Sequence, residues 1–308
     1  MADTAEAIEG EVSDRHIDVD VSKWGTSVLT DAEGDLDTDV LGMAGKSIHL
    51  LQQEGRHEVV VTSAAVSVGA AALGWQRPED HETGRLQQAA SVGNPLLAVE
   101  WGIAVGKPAS LFQLTNSDLM ASGGQSWENL ERVSRQVLGN DDSFVLINMN
   151  DVTDIAELPH EEKEGNFHFD DNDMLSAIWT AILLRMQGIG HVTLNIMTDK
   201  AGVLDSSDKV IDALDANDIL FKSGSFIRDD PLKKNGNGGM GTKLPAALLA
   251  AISGAEVVVG PGREKDALRR MIAGEIGTRI IATADDRDFV AKHMKTLTRH
   301  QREVFQLL

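Results

Sequence analysis

The stretch Glu58-Val59-Val60-Val61-Thr62-Ser63-Ala64-Ala65 is a continuous β-branched run that stops abruptly in small residues. A strand with one wet face alternates apolar and polar side chains, whereas an unbroken run suits a strand covered on both faces. Beyond it, the small residues up to Gly74 read as a helix. Before it, residues 40–53 carry Leu41, Ala44, Ile48 and Leu51 at helical spacing and end near Gly55. Earlier still, residues 17–21 alternate apolar and acidic side chains and lead into Ser22-Lys23-Trp24-Gly25-Thr26-Ser27, a strand followed by a tight loop. Strand, helix, buried strand, helix is the grammar of a parallel sheet with helices on both faces.

The same grammar continues. Residues 86–105 read as a helix that Pro95 should kink or break. Residues 109–114 read as a strand, 127–138 as a helix and 144–149 as a strand. Residues 151–169, with Pro159 and an EEKEG run, read as a loop or small hairpin. An apolar helix over 173–187 and a strand over 192–197 follow, and residues 199–235 read as polar and irregular. The remaining elements are a helix at 240–253, a strand at 256–259, a helix at 265–273 and a strand at 279–283. The expectation is an α/β fold: a three-layer αβα sandwich with a mainly parallel central sheet. Residues 1–15 form an acidic tail expected to be disordered, 16–285 one domain, and 286–308 a C-terminal amphipathic helix.

Composition narrows the function. The chain has 308 residues, is 42% hydrophobic and contains no cysteine, which excludes disulfides, thiolate nucleophiles and Cys-ligated metals. A reducing, cytoplasmic setting fits. The formal net charge of −20 argues against non-specific nucleic-acid binding, which needs cations to neutralise phosphates. An anionic substrate must therefore be drawn in by a local positive site. Residues 1–15 lack the apolar core of a signal peptide, and no run of apolar residues is long enough to span a membrane. The nine histidines show no zinc-ligand spacing, Ser63 lies in no G-x-S-x-G elbow, and neither a G-x-G-x-x-G nor a P-loop is present.

In sheets of this kind ligands gather at the carboxyl ends of the strands. The distinctive polar motifs fall just there: Lys23-Trp24-Gly25-Thr26-Ser27, Thr62-Ser63, Asn148-Met149-Asn150-Asp151 and Thr198-Asp199. A further stretch, Asn235-Gly-Asn237-Gly238-Gly239-Met240-Gly241-Thr242-Lys243, runs into an Ala- and Leu-rich segment. It is either a flexible loop or a cradle of backbone N–H groups for phosphate at a helix start, with Lys243 at its rim. Lys23 and Lys243 are either solvated surface charges or a converging pair that stabilises a transferring phosphoryl group. Asp170-Asp171-Asn172-Asp173 either caps a helix or supplies an acid that orients the lysines or holds magnesium through water, with Asn172 binding substrate. Magnesium keeps most of its own waters, so no protein side chain is assigned as a metal ligand.

These motifs together resemble the amino acid kinase superfamily and, within it, most closely the glutamate 5-kinase family. The matching pieces are Lys23 to Thr30, Val61-Thr62-Ser63, Asn148 to Asp151, Asp171 to Ala177, Thr198-Asp199, Gly238 to Lys243 and Gly274 to Thr278, in the family's order across residues 16–283. The resemblance implies ATP- and Mg2+-dependent phosphorylation of the glutamate γ-carboxylate, the first step towards proline, by a homo-oligomer. It implies that Lys23 and Lys243 stabilise the transferring group, that Asp173 holds them, and that Ser63, Ala64, Asp151 and Asn172 bind the amino acid. It assigns ATP to Lys23, Gly25, Ser27, Thr198, Asp199, Asn237, Gly238, Gly239, Met240, Gly241, Thr242 and Lys243.

The family usually has Gly where Ala64 stands and an acid where Met149 stands, and its segment after Thr198-Asp199 is replaced here by Gly202-Val-Leu-Asp-Ser-Ser. Many bacterial relatives carry a C-terminal PUA domain, for which the roughly 25 residues after the kinase-like part are too few. A sibling kinase with another small acid or phosphate as acceptor, or a non-catalytic ligand-binding protein on the same fold, are the other readings.

Overall fold

The computed structural model describes residues 16–79, 82–120, 125–153, 172–222, 239–286 and 288. The readings for the acidic tail, for most of the 151–169 loop, for Asn237 and Gly238, and for the terminal helix past residue 288 lie outside them.

The chain runs β1 (Ile17–Trp24), α1 (Thr26–Leu29), α2 (Thr38–Gln53), β2 (His57–Thr62), α3 (Ala65–Ala72), α4 (Thr83–Val105) and β3 (Ala109–Leu114). It continues with α5 (Asn116–Met120), α6 (Gln125–Leu138), β4 (Phe144–Met149), α7 (Asn172–Leu183), β5 (Ile189–Thr198), β6 (Ala213–Asp215) and α8 (Ala216–Lys222). The last elements are α9 (Met240–Ile252), β7 (Glu256–Pro261), α10 (Ala267–Ile272), β8 (Thr278–Ile281) and a 3-10 turn at Ala284–Asp286.

The strands form one eight-stranded sheet in the order β3-β4-β2-β1-β5-β7-β8-β6. Pairing is parallel except between β7 and β8. The unbroken apolar runs are the central strands, as double-sided burial requires: β4 is buried along its whole length and β2 from Glu58 onward. One face packs under α6, α7 and α9 through Val19, Val21, Val59, Val61, Val145 and Leu194. The other packs under α2, α3, α4 and α10 through Trp24, Val60, Leu146 and Met197. This is the three-layer sandwich expected from the sequence.

Three local readings change. Of the kink or break expected at Pro95, the break does not occur, since α4 is continuous from Thr83 to Val105. Both Pro95 and Ser91, whose carbonyl loses its partner, are solvent-exposed, so water can take the freed acceptor. The supposedly irregular 199–235 segment contains β6 and α8, three and seven residues long. Elements that short carry too few side chains to display a period. The tight loop after β1 closes into the single-turn α1.

Two features of the interior fix the layers. Gly69 of α3 and Gly93 of α4 meet where a Cβ at Gly93 would lie 1.8 Å from the Ala65 carbonyl oxygen and one at Gly69 would lie 1.7 Å from that of Ala89. The helices therefore touch backbone to backbone. Beneath α2, the sheet carries a buried polar row. Asp20 accepts from Arg56 Nη2 (2.6 Å) and Thr193 Oγ1 (2.6 Å), while Ser22 donates to Glu58 and accepts from Trp24 Nε1 (2.9 Å). Burial, and then the neighbouring Asp20 carboxylate, push the Glu58 carboxyl well above the usual range.

Gly93→Ala should lose about 2–3 kcal/mol in urea unfolding, the cost of forcing bulk into a close-packed crossing. Glu58 makes a second prediction. Its raised folded pKa means that stability is fully present below the ordinary carboxyl pKa and declines as pH rises towards the folded value. In Glu58→Gln this part of the Tm decline between pH 5 and 8 should vanish.

Candidate functional site

The first strand and its return partner define the site. From β1 the chain moves to β2 and outward to β3 and β4 on one side, then comes back to place β5 on the other side of β1. The carboxyl end of β1 is thus a switch point, where loops diverge and leave a crevice. Alternation along β1 sends Val19, Val21 and Lys23 to the face covered by α7 and α9, and Ser22 and Trp24 to the opposite face.

Lys23 meets Asp173, in the first turn of α7, and Lys243, in the first turn of α9. Lys23 Nζ lies 2.7 Å from Asp173 Oδ1, and Lys243 Nζ 3.1 Å from Asp173 Oδ2. Thr242 Oγ1 donates to Asp173 Oδ2 at 2.8 Å. The Asp173 side chain is wholly buried, and those of Lys23 and Lys243 are 5% and 6% exposed. Burial alone would push the Asp173 carboxyl up. The charges of Lys23 and Lys243, with hydrogen bonds from Lys23 and Thr242, instead hold it far below the usual carboxylate range. Among these three side chains two positive charges face one negative, a local cationic cluster in a strongly acidic chain. Asp173 therefore does more than cap α7: it gathers two lysines from distant segments.

A second group lies beside it. Asn172, next to Asp173 in α7, donates from Nδ2 to Ser63 Oγ (3.2 Å) and to Asn148 Oδ1 (2.9 Å). Asn148, in β4, donates in turn to Asn94 Oδ1 of α4 (2.6 Å). Asp151, just past β4, is buried as well. Ala64 opens α3 in the left-handed region, φ 77° and ψ 6°. The position demands the conformation that glycine adopts freely, and alanine holds it at a cost in strain.

On the other side of β1, register sets Trp24 opposite Met197, so Thr198 follows beside Gly25. A Cβ on Gly25 would sit 3.6 Å from Lys23 Nζ, which places this turn against the cationic cluster. Thr198 is buried and donates from Oγ1 to Asp199 Oδ1 at 3.2 Å. Ser27 is exposed on α1. Gly239 caps α9 and receives the Lys243 and Thr242 backbone N–H groups at 3.3 Å, with Met240 and Gly241 in the turn between.

Three contributors, Asn94, Asn148 and Arg263, were not singled out from the sequence as site residues. Asn94 interrupts an otherwise apolar helix face, and a buried amide there is the one signal that could have marked it. Asn148 was quoted only as part of a motif. Arg263, just after β7, donates to Asp37 Oδ2 (2.8 Å) and to the Ser27 and Thr30 carbonyls, fastening α1 to the far side of the crevice. A single arginine in a loop carries no pattern that announces this.

Among the described residues, no helix is long and apolar enough to cross a membrane. The profile described as the amino acid kinase family matches residues 19–261. Glutamate 5-kinase of Gloeobacter violaceus is 33% identical over 272 residues, covering 84% of this chain and 67% of the relative. That of Burkholderia thailandensis is 31% identical over 298 residues, covering 89% and 72%. In solved structures the fold resembles that of Giardia carbamate kinase, with TM-score 0.52 and 15% identity over 87% of this chain and 99% of the other.

Asp173→Asn should unfold more readily by about 3–5 kcal/mol at neutral pH, because two buried ammonium groups lose the Asp173 charge that they share. The depressed folded pKa of Asp173 gives stability that is fully present above the ordinary carboxyl pKa and is lost as pH falls below about 4. Urea titrations of parent and variant should therefore converge in acid.

The glycine-rich entry to α9, the paired lysines around one buried acid and the serine and amide at the neighbouring strand ends thus occur in a chain whose family match and curated relatives agree: it belongs to the amino acid kinase family.

Proposed function

We propose that the chain transfers the γ-phosphoryl group of ATP to the γ-carboxylate of L-glutamate, giving γ-glutamyl phosphate and ADP, the entry reaction of proline biosynthesis. The observation that carries this reading is the buried Lys23–Asp173–Lys243 cluster at the switch point. The glutamate 5-kinase relatives supply the acceptor.

The chemistry asks for little beyond positioning and neutralisation. A carboxylate is already deprotonated, so no general base is required. Its oxygen attacks the γ-phosphorus as the bond to the β–γ bridging oxygen breaks and ADP leaves. Charge spreads over the phosphoryl oxygens in the transition state, and preorganised cations in a water-poor site stabilise it. Lys23 and Lys243 fill that role, with Asp173 and Thr242 holding them in place. Ser63, the backbone at Ala64, Asp151 and Asn172 hold the amino acid. Gly25, Ser27, Thr198, Asp199, the Gly239 to Lys243 turn, and Asn237 and Gly238 before it hold the nucleotide.

The donor set of the cluster suits phosphate rather than a dication, since its single carboxylate is already matched by two lysines. Mg2+ would arrive on the nucleotide, taking phosphate oxygens and water as ligands and neutralising charge between the phosphates.

A second reading keeps the reaction and changes the acceptor. Ala64 puts a methyl on the strained turn beside Ser63, and Met149, where the family has an acid, is buried in the core beneath α7. The methyl at Ala64 crowds the turn beside Ser63 and Met149 takes away an acid the family has nearby, and together they favour a different small acid.

The test is ATP- and Mg2+-dependent hydroxamate formation with glutamate, aspartate and N-acetylglutamate in parallel. Glutamate should win. Preference for another acid establishes the second reading, and silence with all three while ATP binds would point to a non-catalytic protein. Lys243→Ala should cut kcat by about 10²–10³ while changing the KM for glutamate far less, because its charge acts mainly in the transition state.

A further inference from the structure

We propose that Asn94, in the middle of α4, is a positioning residue for the amino-acid pocket: it fixes the side chain of Asn172 with its carbonyl oxygen turned to the substrate's ammonium group. The proposal rests on the amino-acid kinase reading above.

Asn94, Asn148 and Asn172 form a row of three buried amides whose hydrogen bonds all run in one direction. Both protons of Asn172 Nδ2 are used, one by Ser63 Oγ at 3.2 Å and one by Asn148 Oδ1 at 2.9 Å. Among the described residues, Asn172 Oδ1 has no hydrogen-bond partner and is buried. A buried carbonyl oxygen of this kind is a waiting acceptor. The group it suits is a cationic N–H donor, and the α-ammonium of an amino acid is one. Were the amide reversed, the pocket would present N–H to an ammonium group and repel it.

The direction of the row is set from its far end. Asn148 Oδ1 can face Asn172 only while Asn148 Nδ2 points the other way, and there it is received by Asn94 Oδ1 at 2.6 Å. The Met149 backbone N–H, 2.9 Å from Asn148 Oδ1, supports the same orientation. Asn94 Nδ2 is buried and unpartnered, so holding Asn148 is what the Asn94 side chain does with its polar atoms. A buried amide with one atom unsatisfied is a poor choice for stability alone. The placement is also rigid. Gly93, its neighbour, is locked against Ala65 and Gly69 of α3, and α3 begins at the Ser63-Ala64 turn. Asn94 is thus tied to the same turn that carries Ser63. It lies in the helical layer opposite Asn172, and the row passes round the end of β4 to join the two.

The experiment compares glutamate with glutarate, the same dicarboxylate without the amine, in parent, Asn94→Leu and Asn94→Asp. Leucine keeps the volume and removes the acceptor; aspartate keeps an oxygen in its place. In Asn94→Leu the KM for glutamate should rise about tenfold, the scale of one hydrogen bond to a charged group. The KM for glutarate and for ATP should stay within about twofold and kcat likewise, so the preference for the amine collapses. Asn94→Asp should recover most of the preference. Equal changes for glutamate and glutarate, or none, overturn the proposal, since a merely structural residue would weaken both alike.

Asn94→Ala serves the same comparison if leucine does not fold. Failure of the underlying reading is separable, because then the parent itself gives no glutamyl hydroxamate. In that case the ligand-induced rise in Tm decides. A parent preference for glutamate over glutarate that Asn94→Leu loses supports the inference, and its absence in the parent, or its survival in the variant, overturns it.

Discussion

One buried carboxylate holds the site together. Asp173 brings Lys23, from the first strand, to Lys243, more than two hundred residues away in sequence, and does so where water is excluded. Each ammonium group alone would be costly to bury, and so would the carboxylate. The three are stable there only together, so the arrangement of β1, α7 and α9 is tied to their mutual charge. Among Lys23, Asp173 and Lys243 two positive charges face one negative in a chain with a strongly negative total, and such a cluster attracts an incoming anion.

The rest of the crevice follows from how the sheet ends. Because β2, β4 and β5 all run parallel to β1, their carboxyl ends lie along one edge, and polar residues at or just past those ends line it. Ser63, Asn148, Asp151 and Thr198 are near one another for that reason. The amide row joins the two helical layers here. On one side α7 and α9 supply Asn172, Asp173 and Lys243; on the other, α4 supplies Asn94, held in reach by the glycine crossing with α3.

The sheet's polar row shows a different compromise. Asp20, Ser22, Glu58, Thr193 and Asn195 sit on strands that the apolar runs would lead one to regard as hydrocarbon throughout. Asp20 is matched by Arg56, whereas burial and the neighbouring Asp20 charge push the Glu58 carboxyl well above its usual range. Its link through Ser22 to Trp24 connects this row to the strand that carries Lys23.

The sequence by itself determined the layering and the edge. Unbroken β-branched runs alternating with helical spacing require a doubly covered parallel sheet, and in such a sheet polar residues just past the strands share one side; both are local patterns that neighbouring residues spell out. Lys23, Asp173 and Lys243 were legible through family motifs, although composition and spacing left them open between surface charge and active cluster. Only the tertiary structure decided that Asp173 grips both lysines, that α4 survives Pro95, that β6 and α8 interrupt a segment without visible period, and that Asn94 and Arg263 reach the crevice. Each of these depends on contact between residues far apart in the chain, or on which face of an element meets water, and no local pattern encodes such a meeting.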